Sequence, residues 1–108
     1  MSTIVPVIFA EGVMPTSSSG GPGTIISISS SGAYLTGLKV YNSTGLFQYA
    51  NVYFYVLNQT RSFAQMALSS SYSADVIEKP VVLTSGSAVL MQSTSGSVEF
   101  LLTGAWTI

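Results

Sequence analysis

An all-β sandwich is the fold class that the sequence predicts, and three observations predict it. Runs rich in β-branched and aromatic residues recur at a spacing of roughly 8–12 residues. Clusters of Ser, Gly and Asn punctuate them. No stretch makes a convincing helix. The count comes to about eight antiparallel strands in two packed layers, jelly-roll or immunoglobulin-like, with an N-terminal strand or arm. The pattern leaves strand order open.

The elements follow in chain order. Residues 4–10, Ile-Val-Pro-Val-Ile-Phe-Ala, form a short apolar strand. They lack the basic flank of a signal peptide, and Pro6 and Glu11 interrupt their apolar character. Residues 16–23, Thr-Ser-Ser-Ser-Gly-Gly-Pro-Gly, are a loop or flexible linker. The first ten residues are then either an arm that pairs elsewhere or, as favoured here, a strand tied to the sandwich by a wide loop. Residues 24–28 are a strand. Residues 34–41 are the next, with Tyr34, Thr36, Leu38 and Val40 expected on one face. Residues 42–45, Asn-Ser-Thr-Gly, are turn chemistry.

Residues 49–57 are the clearest strand: Val52, Phe54 and Val56 face one way, Tyr53 and Tyr55 the other. Residues 61–68 fit either a helical turn or a strand. Residues 72–77 read as a strand. Pro80 opens the short strand 81–83, since proline cannot donate inside a ladder. After a turn at 84–87 come strands 88–92 and 97–102, separated by Ser-Thr-Ser-Gly. Gly104 is expected to bend the chain before residues 105–108. Residues 1–23 thus form an N-terminal strand plus loop, and residues 24–108 the sandwich domain.

Composition narrows function. The 108 residues include 3 Lys+Arg, 4 Asp+Glu, no His and no Cys, with a net charge of -1. Charged residues make up 6%, against roughly 25% in ordinary domains. So charge-poor a surface suits a subunit covered by partners better than a free monomer. Lys39, Arg61 and Lys79 cannot supply the ~6–10 phosphate contacts of a nucleic-acid binder, nor a polybasic membrane anchor. No run reaches the ~18 apolar residues of a membrane-spanning helix. Without cysteine there is no disulfide or thiolate metal site, which leans toward cytoplasmic synthesis.

Catalytic chemistry has little to draw on. Asp75 and Glu78 are three apart in a strand, so they point to opposite faces. The serines sit in turns, with no His or Cys to activate one. No ligand cluster suggests a metal or other cofactor, and 20–23 (Gly-Gly-Pro-Gly) lacks the Lys and helix of a phosphate cradle. The Asn-x-Ser/Thr triplets at Asn42 and Asn58 read as turn residues rather than glycosylation sites. The expectation is a protein without enzymatic activity.

Both faces of residues 49–57 are bulky. Either the strand is covered on both sides within its own sandwich, or its tyrosine face meets a partner, as aromatic residues at interfaces do. Phe47, Tyr49, Tyr53, Tyr55 and Trp106 also suggest a lectin-like or receptor-binding platform, although the sequence locates no polar groups converging on a sugar. Core and interface use of these rings is favoured.

Residues 38–45, Leu-Lys-Val-Tyr-Asn-Ser-Thr-Gly, resemble the strand and Asn-Thr/Ser-small opening of a diffuse group of small virion proteins of tailed bacteriophages. Residues 81–90 are similar to that group's Val-Leu-x-x-Gly-Asp-x-hydrophobic segment, with Ser87 where the group often has Asp. Residues 93–100 and 103–106 resemble its closing strand pair. The likeness runs from about residue 32 to residue 108. It implies a non-enzymatic structural β-sandwich of the virion, made in the host cytoplasm: a capsid decoration or cement subunit, or a tail, neck or fibre component. It also implies a dimer or trimer that contacts the major capsid protein or another virion protein. On this reading Ile4, Val7, Phe9, Phe47, Tyr49, Tyr53, Tyr55 and Trp106 carry the contacts. Strand-edge pairing by the N-terminal segment adds to them.

Overall fold

Each strand finds a partner by folding one long hairpin on itself. The computed structural model describes residues 4–16, 22–28, 32–94 and 98–107. These form β1 (Ile4–Val13), β2 (Gly23–Ser27), β3 (Ala33–Asn42), β4 (Gln48–Val56), β5 (Gln59–Leu68), β6 (Ser73–Ile77), β7 (Val81–Leu83), β8 (Ala88–Ser93) and β9 (Val98–Thr107). The described residues include no helix.

The antiparallel pairs are nested: β4 with β5, β3 with β6 and β7, β2 with β8, and β1 with β9. Rolling this nest brings β9 beside β3 and β8 beside β4. One sheet runs β1-β9-β3-β6, with β7 also on β3, and the other runs β2-β8-β4-β5. That order is a jelly roll, which settles the choice left by the strand pattern. The ninth strand arises because β6 and β7 share one side of β3, interrupted at Glu78-Lys79-Pro80.

Alternation builds the core between the sheets. Leu35, Leu38, Val40, Val98, Phe100 and Leu102 come from the first sheet, and Ala50, Val52, Phe54, Val89 and Met91 from the second. Burying a side chain of this size is worth about 1.5–3 kcal/mol. Residues 14–16 cross from one sheet to the other. Met14 is buried there, its amide donates to the Val98 carbonyl, and Ser93 donates its amide to the Pro15 carbonyl. The N-terminal segment is therefore a strand of the first sheet, paired with β9 along its length. The loop at 17–21 and the turn at 95–97 lie outside the described residues.

Three expectations need correction or completion. Tyr34 and Thr36 do not share the face of Leu38 and Val40. A β-bulge between Leu35 and Gly37 inserts one residue and reverses the phase, so Ala33 and Leu35 join Leu38 and Val40 inside. Gly104 does not bend the chain away, because β9 runs straight through it. A Cβ at that position would collide with the Tyr34 carbonyl oxygen and the Phe9 ring, so glycine is needed for close approach. The ambiguous stretch 61–68 belongs to a strand, β5, since pairing with β4 satisfies its backbone.

Asn42 ties the roll together at one end. Its buried side-chain amide donates to the carbonyls of Leu46 (2.7 Å), Leu68 (3.1 Å) and Ser69 (3.1 Å). Its Oδ1 accepts from the Thr44 amide (3.0 Å) and hydroxyl (2.7 Å). The β3–β4 turn is thereby locked to the end of β5, and Asn42 acts as the turn residue its sequence context suggested. At the opposite end, Leu57 and Asn58 join β4 to β5 with φ of 52° and 63°. Positive φ at both central positions marks a type I′ hairpin, which favours Asn and Gly and strains Leu.

Replacing Asn42→Ala removes the side-chain donor from the buried bond to the Leu68 carbonyl and the part-buried bond to the Ser69 carbonyl, and frees the Thr44 amide and hydroxyl. It is expected to cost about 2–3 kcal/mol, read as a lower urea midpoint with an unchanged slope. Leu57 is 88% exposed, so Leu57→Asn loses little packing and relieves the strain. A gain of about 0.5–1 kcal/mol is expected in the same assay.

Candidate binding surfaces

The few charges are unevenly shared between the two outer faces. Cross-strand register puts Glu11, Leu101, Lys39 and Asp75 in one row on the outside of the first sheet, and Val13, Glu99 and Tyr41 in the next. Lys39 Nζ lies 3.7 Å from Asp75 Oδ1, both side chains being largely exposed. Glu78 and Lys79 occupy the β6–β7 connection. Arg61 stands opposite inward-facing Phe54 at the open edge of β5, where its Nη2 donates to Gln59 Oε1 at 2.8 Å. The outer face of the second sheet therefore carries no formal charge among the described residues.

The residues proposed from sequence as contacts fall into two groups. Val7, Phe9 and Trp106 belong to the β1–β9 pair, with Ile4 opposite Thr107 at its end. Phe9 and Trp106 meet edge to face, ring centroids 4.9 Å apart, and both are half-buried against the core. Much of their area already serves this chain's own packing. Among the side chains of β1 that the structure describes, residues 7–13, the exposed large apolar ones are instead Ile8 (61%) and Val13 (55%). Sequence reading missed them because it ended the strand at residue 10, short of Val13, and because the bulge between Ile8 and Ala10 shifts the phase of β1.

Phe47, Tyr49, Tyr53 and Tyr55 form the second group. The three tyrosines alternate with buried Ala50, Val52 and Phe54, so they share the outer face of β4. Tyr49 is exposed, and Phe47 packs edge to face against it at 4.9 Å. Tyr53 and Tyr55 are half-buried. Tyr53 Oη donates to Gln92 Oε1 at 3.5 Å, and Tyr55 Oη to Asn58 Oδ1 at 3.3 Å.

Polar groups converge on these rings. Asn51 faces Gln65 on β5 and Gln92 on β8, so three carboxamides cross three adjacent strands in one row. Alternation within β4 could have placed Asn51 beside Tyr53, but Gln65 and Gln92 join the row only through register. A shallow cleft of about 350 Å³ lies at its β5 end, lined by Tyr49, Asn51, Gln65, Met66 and Ala67. Among the described residues, no three His, Cys, Asp or Glu side chains cluster as metal ligands. Comparison with protein-family models, with curated proteins and with solved structures finds no match.

An exposed pair such as Lys39–Asp75 is worth about 0–1 kcal/mol. Asp75→Asn is accordingly expected to change the unfolding free energy by less than about 0.5 kcal/mol at physiological salt, as measured by urea denaturation.

Proposed function

We propose that the chain is a non-enzymatic structural subunit of a bacteriophage virion, of the capsid decoration or cement type. It forms a dimer or trimer and stabilises contacts between neighbouring major capsid subunits. The observation that carries the reading is β1. This ten-residue strand is the edge of its sheet, hydrogen-bonded to β9 on one side only. Edges are ordinarily protected by charge, proline or bulges. Here Pro6 and the bulge at Phe9 blunt the edge in part, Glu11 is its one charge, and Ile8 and Val13 remain open to solvent.

Such an edge is suited to covering by a neighbour, through apolar burial beside the strand and a few backbone hydrogen bonds. Apolar burial yields roughly 25 cal/mol per Å² before association costs, so a standard interface needs few ion pairs. The row Glu11–Lys39–Asp75 on the same face supplies charges of both signs that can fix orientation. The virion assignment comes from the resemblance of residues 32–108, and the jelly-roll order is compatible with it, being recurrent in capsid and lectin domains.

The test is co-sedimentation with capsids assembled without this subunit. The double variant Ile8→Lys, Val13→Lys is expected to fold, by circular dichroism, and to lose at least about tenfold in capsid affinity. Light scattering on the parent protein should give a dimer or trimer mass. A folded double variant that co-sediments as well as the parent would defeat the role assigned to β1.

A further inference from the structure

We propose that the outer face of the β2-β8-β4-β5 sheet is a binding site for neutral carbohydrate, centred on Tyr49, Asn51 and Gln65 and continuing to Gln92 and Tyr53. The site lies on the sheet opposite β1, so it is an activity additional to assembly through that edge.

Three features define the ligand chemistry. The first is the carboxamide row Gln65–Asn51–Gln92, in which neighbours stand about 4.8 Å apart across the strands. Each amide offers a carbonyl acceptor and an NH₂ donor side by side. Sugar hydroxyls, which donate and accept together, match that pairing. Neither the Asn51 nor the Gln65 side chain has a hydrogen-bond partner within the chain among the described residues. Gln92 uses only its oxygen, toward Tyr53, and keeps its NH₂ for a ligand.

The second feature is the pair of rings flanking that row. Tyr49 and Tyr53 lie two residues to either side of Asn51 on the same face. They are about 13 Å apart along the strand, a span of roughly two or three sugar rings. The C–H face of a pyranose packs on an aromatic ring, while the phenol hydroxyl at the ring's end can hydrogen-bond. Phe47 holds the Tyr49 ring from the side, at 79° between planes, which lowers the ordering cost on binding. Ala67, directly across from Tyr49 on β5, is small and leaves the ring's flank open. The cleft at that point is shallow and open to solvent, which suits a chain lying along the surface rather than an enclosed ligand.

The third feature is the absence of charge. With no Lys or Arg on this face among the described residues, nothing there would neutralise a phosphate, sulfate or uronate. Nucleic acid and acidic polysaccharides are disfavoured on the same ground, and neutral glycans are left as the matching class.

Affinity electrophoresis tests this directly, using native gels that contain dextran, galactomannan, mixed-linkage β-glucan or arabinogalactan, with polygalacturonate as the acidic control. The parent protein is expected to be retarded by at least one neutral polysaccharide and not by polygalacturonate. Tyr49→Ala and Gln65→Ala, both at exposed positions, should each weaken retardation at least about tenfold, whereas Tyr49→Phe should keep most of it. The β1 double variant should be retarded like the parent, which separates this site from the assembly reading.

Three results would overturn the proposal. One is no retardation in any of the four neutral gels. Another is retardation that survives both Tyr49→Ala and Gln65→Ala. The third is a dimer, seen by light scattering, that Tyr49→Ala dissociates, because the face would then belong to a second copy of the chain.

Discussion

The pairing of the chain's two ends is the contact on which the rest of the roll depends. β9 lies between β1 and β3, and nine of its ten residues pair with each. Through β9 the beginning, middle and end of the chain become one sheet. Such long-range pairing carries a large loop-closure entropy cost before it is rewarded, so the ladders must be long and the inner residues large. Val98, Phe100 and Leu102 meet that need on the inner face. Gly104 meets it differently, by letting the backbone of β3 and the ring of Phe9 approach where a side chain would hold them apart.

Bulges then decide what each strand shows to solvent. The side-chain period of a strand is two, so one inserted residue exchanges inside for outside. In β1 the shift leaves Ile8 exposed while Phe9 packs against Trp106 and the core. In β3 it places Leu35 and Leu38 on the same side despite their spacing of three. In β5 the extra residue is Phe63, whose ring stacks on Phe54 at 4.4 Å and shields the rim of the core. The irregularities that hide the alternation in sequence are thus the devices that close the sandwich and choose its exposed residues.

Charge separates the two outer faces. One carries Glu11, Lys39, Asp75 and Glu99, and the other carries amides, hydroxyls and tyrosines. A mixed-charge face beside an open strand edge suits oriented protein contact. An uncharged face with paired donors and acceptors suits a ligand rich in hydroxyls. The two surfaces lie on opposite layers of the sandwich, so a subunit held by one could present the other.

The sequence by itself determined the fold class, the inner residues of regular strands and the poverty of charge. Val52 and Phe54 against Tyr53 and Tyr55, and Val98, Phe100 and Leu102 against Glu99, are readable because alternation is a local property of the backbone. Asn42 was legible as a turn residue, although its grip on Leu68 and Ser69 was not. Tertiary structure alone decided the jelly-roll order, the rows on each face and the exposure of Ile8 and Val13. The physical reason is register: which residue of one strand stands beside which residue of another is set by long-range pairing and bulges. No local pattern could bring Gln65, Asn51 and Gln92 into line, and without that line Tyr49 and Tyr53 were only aromatic residues in a strand.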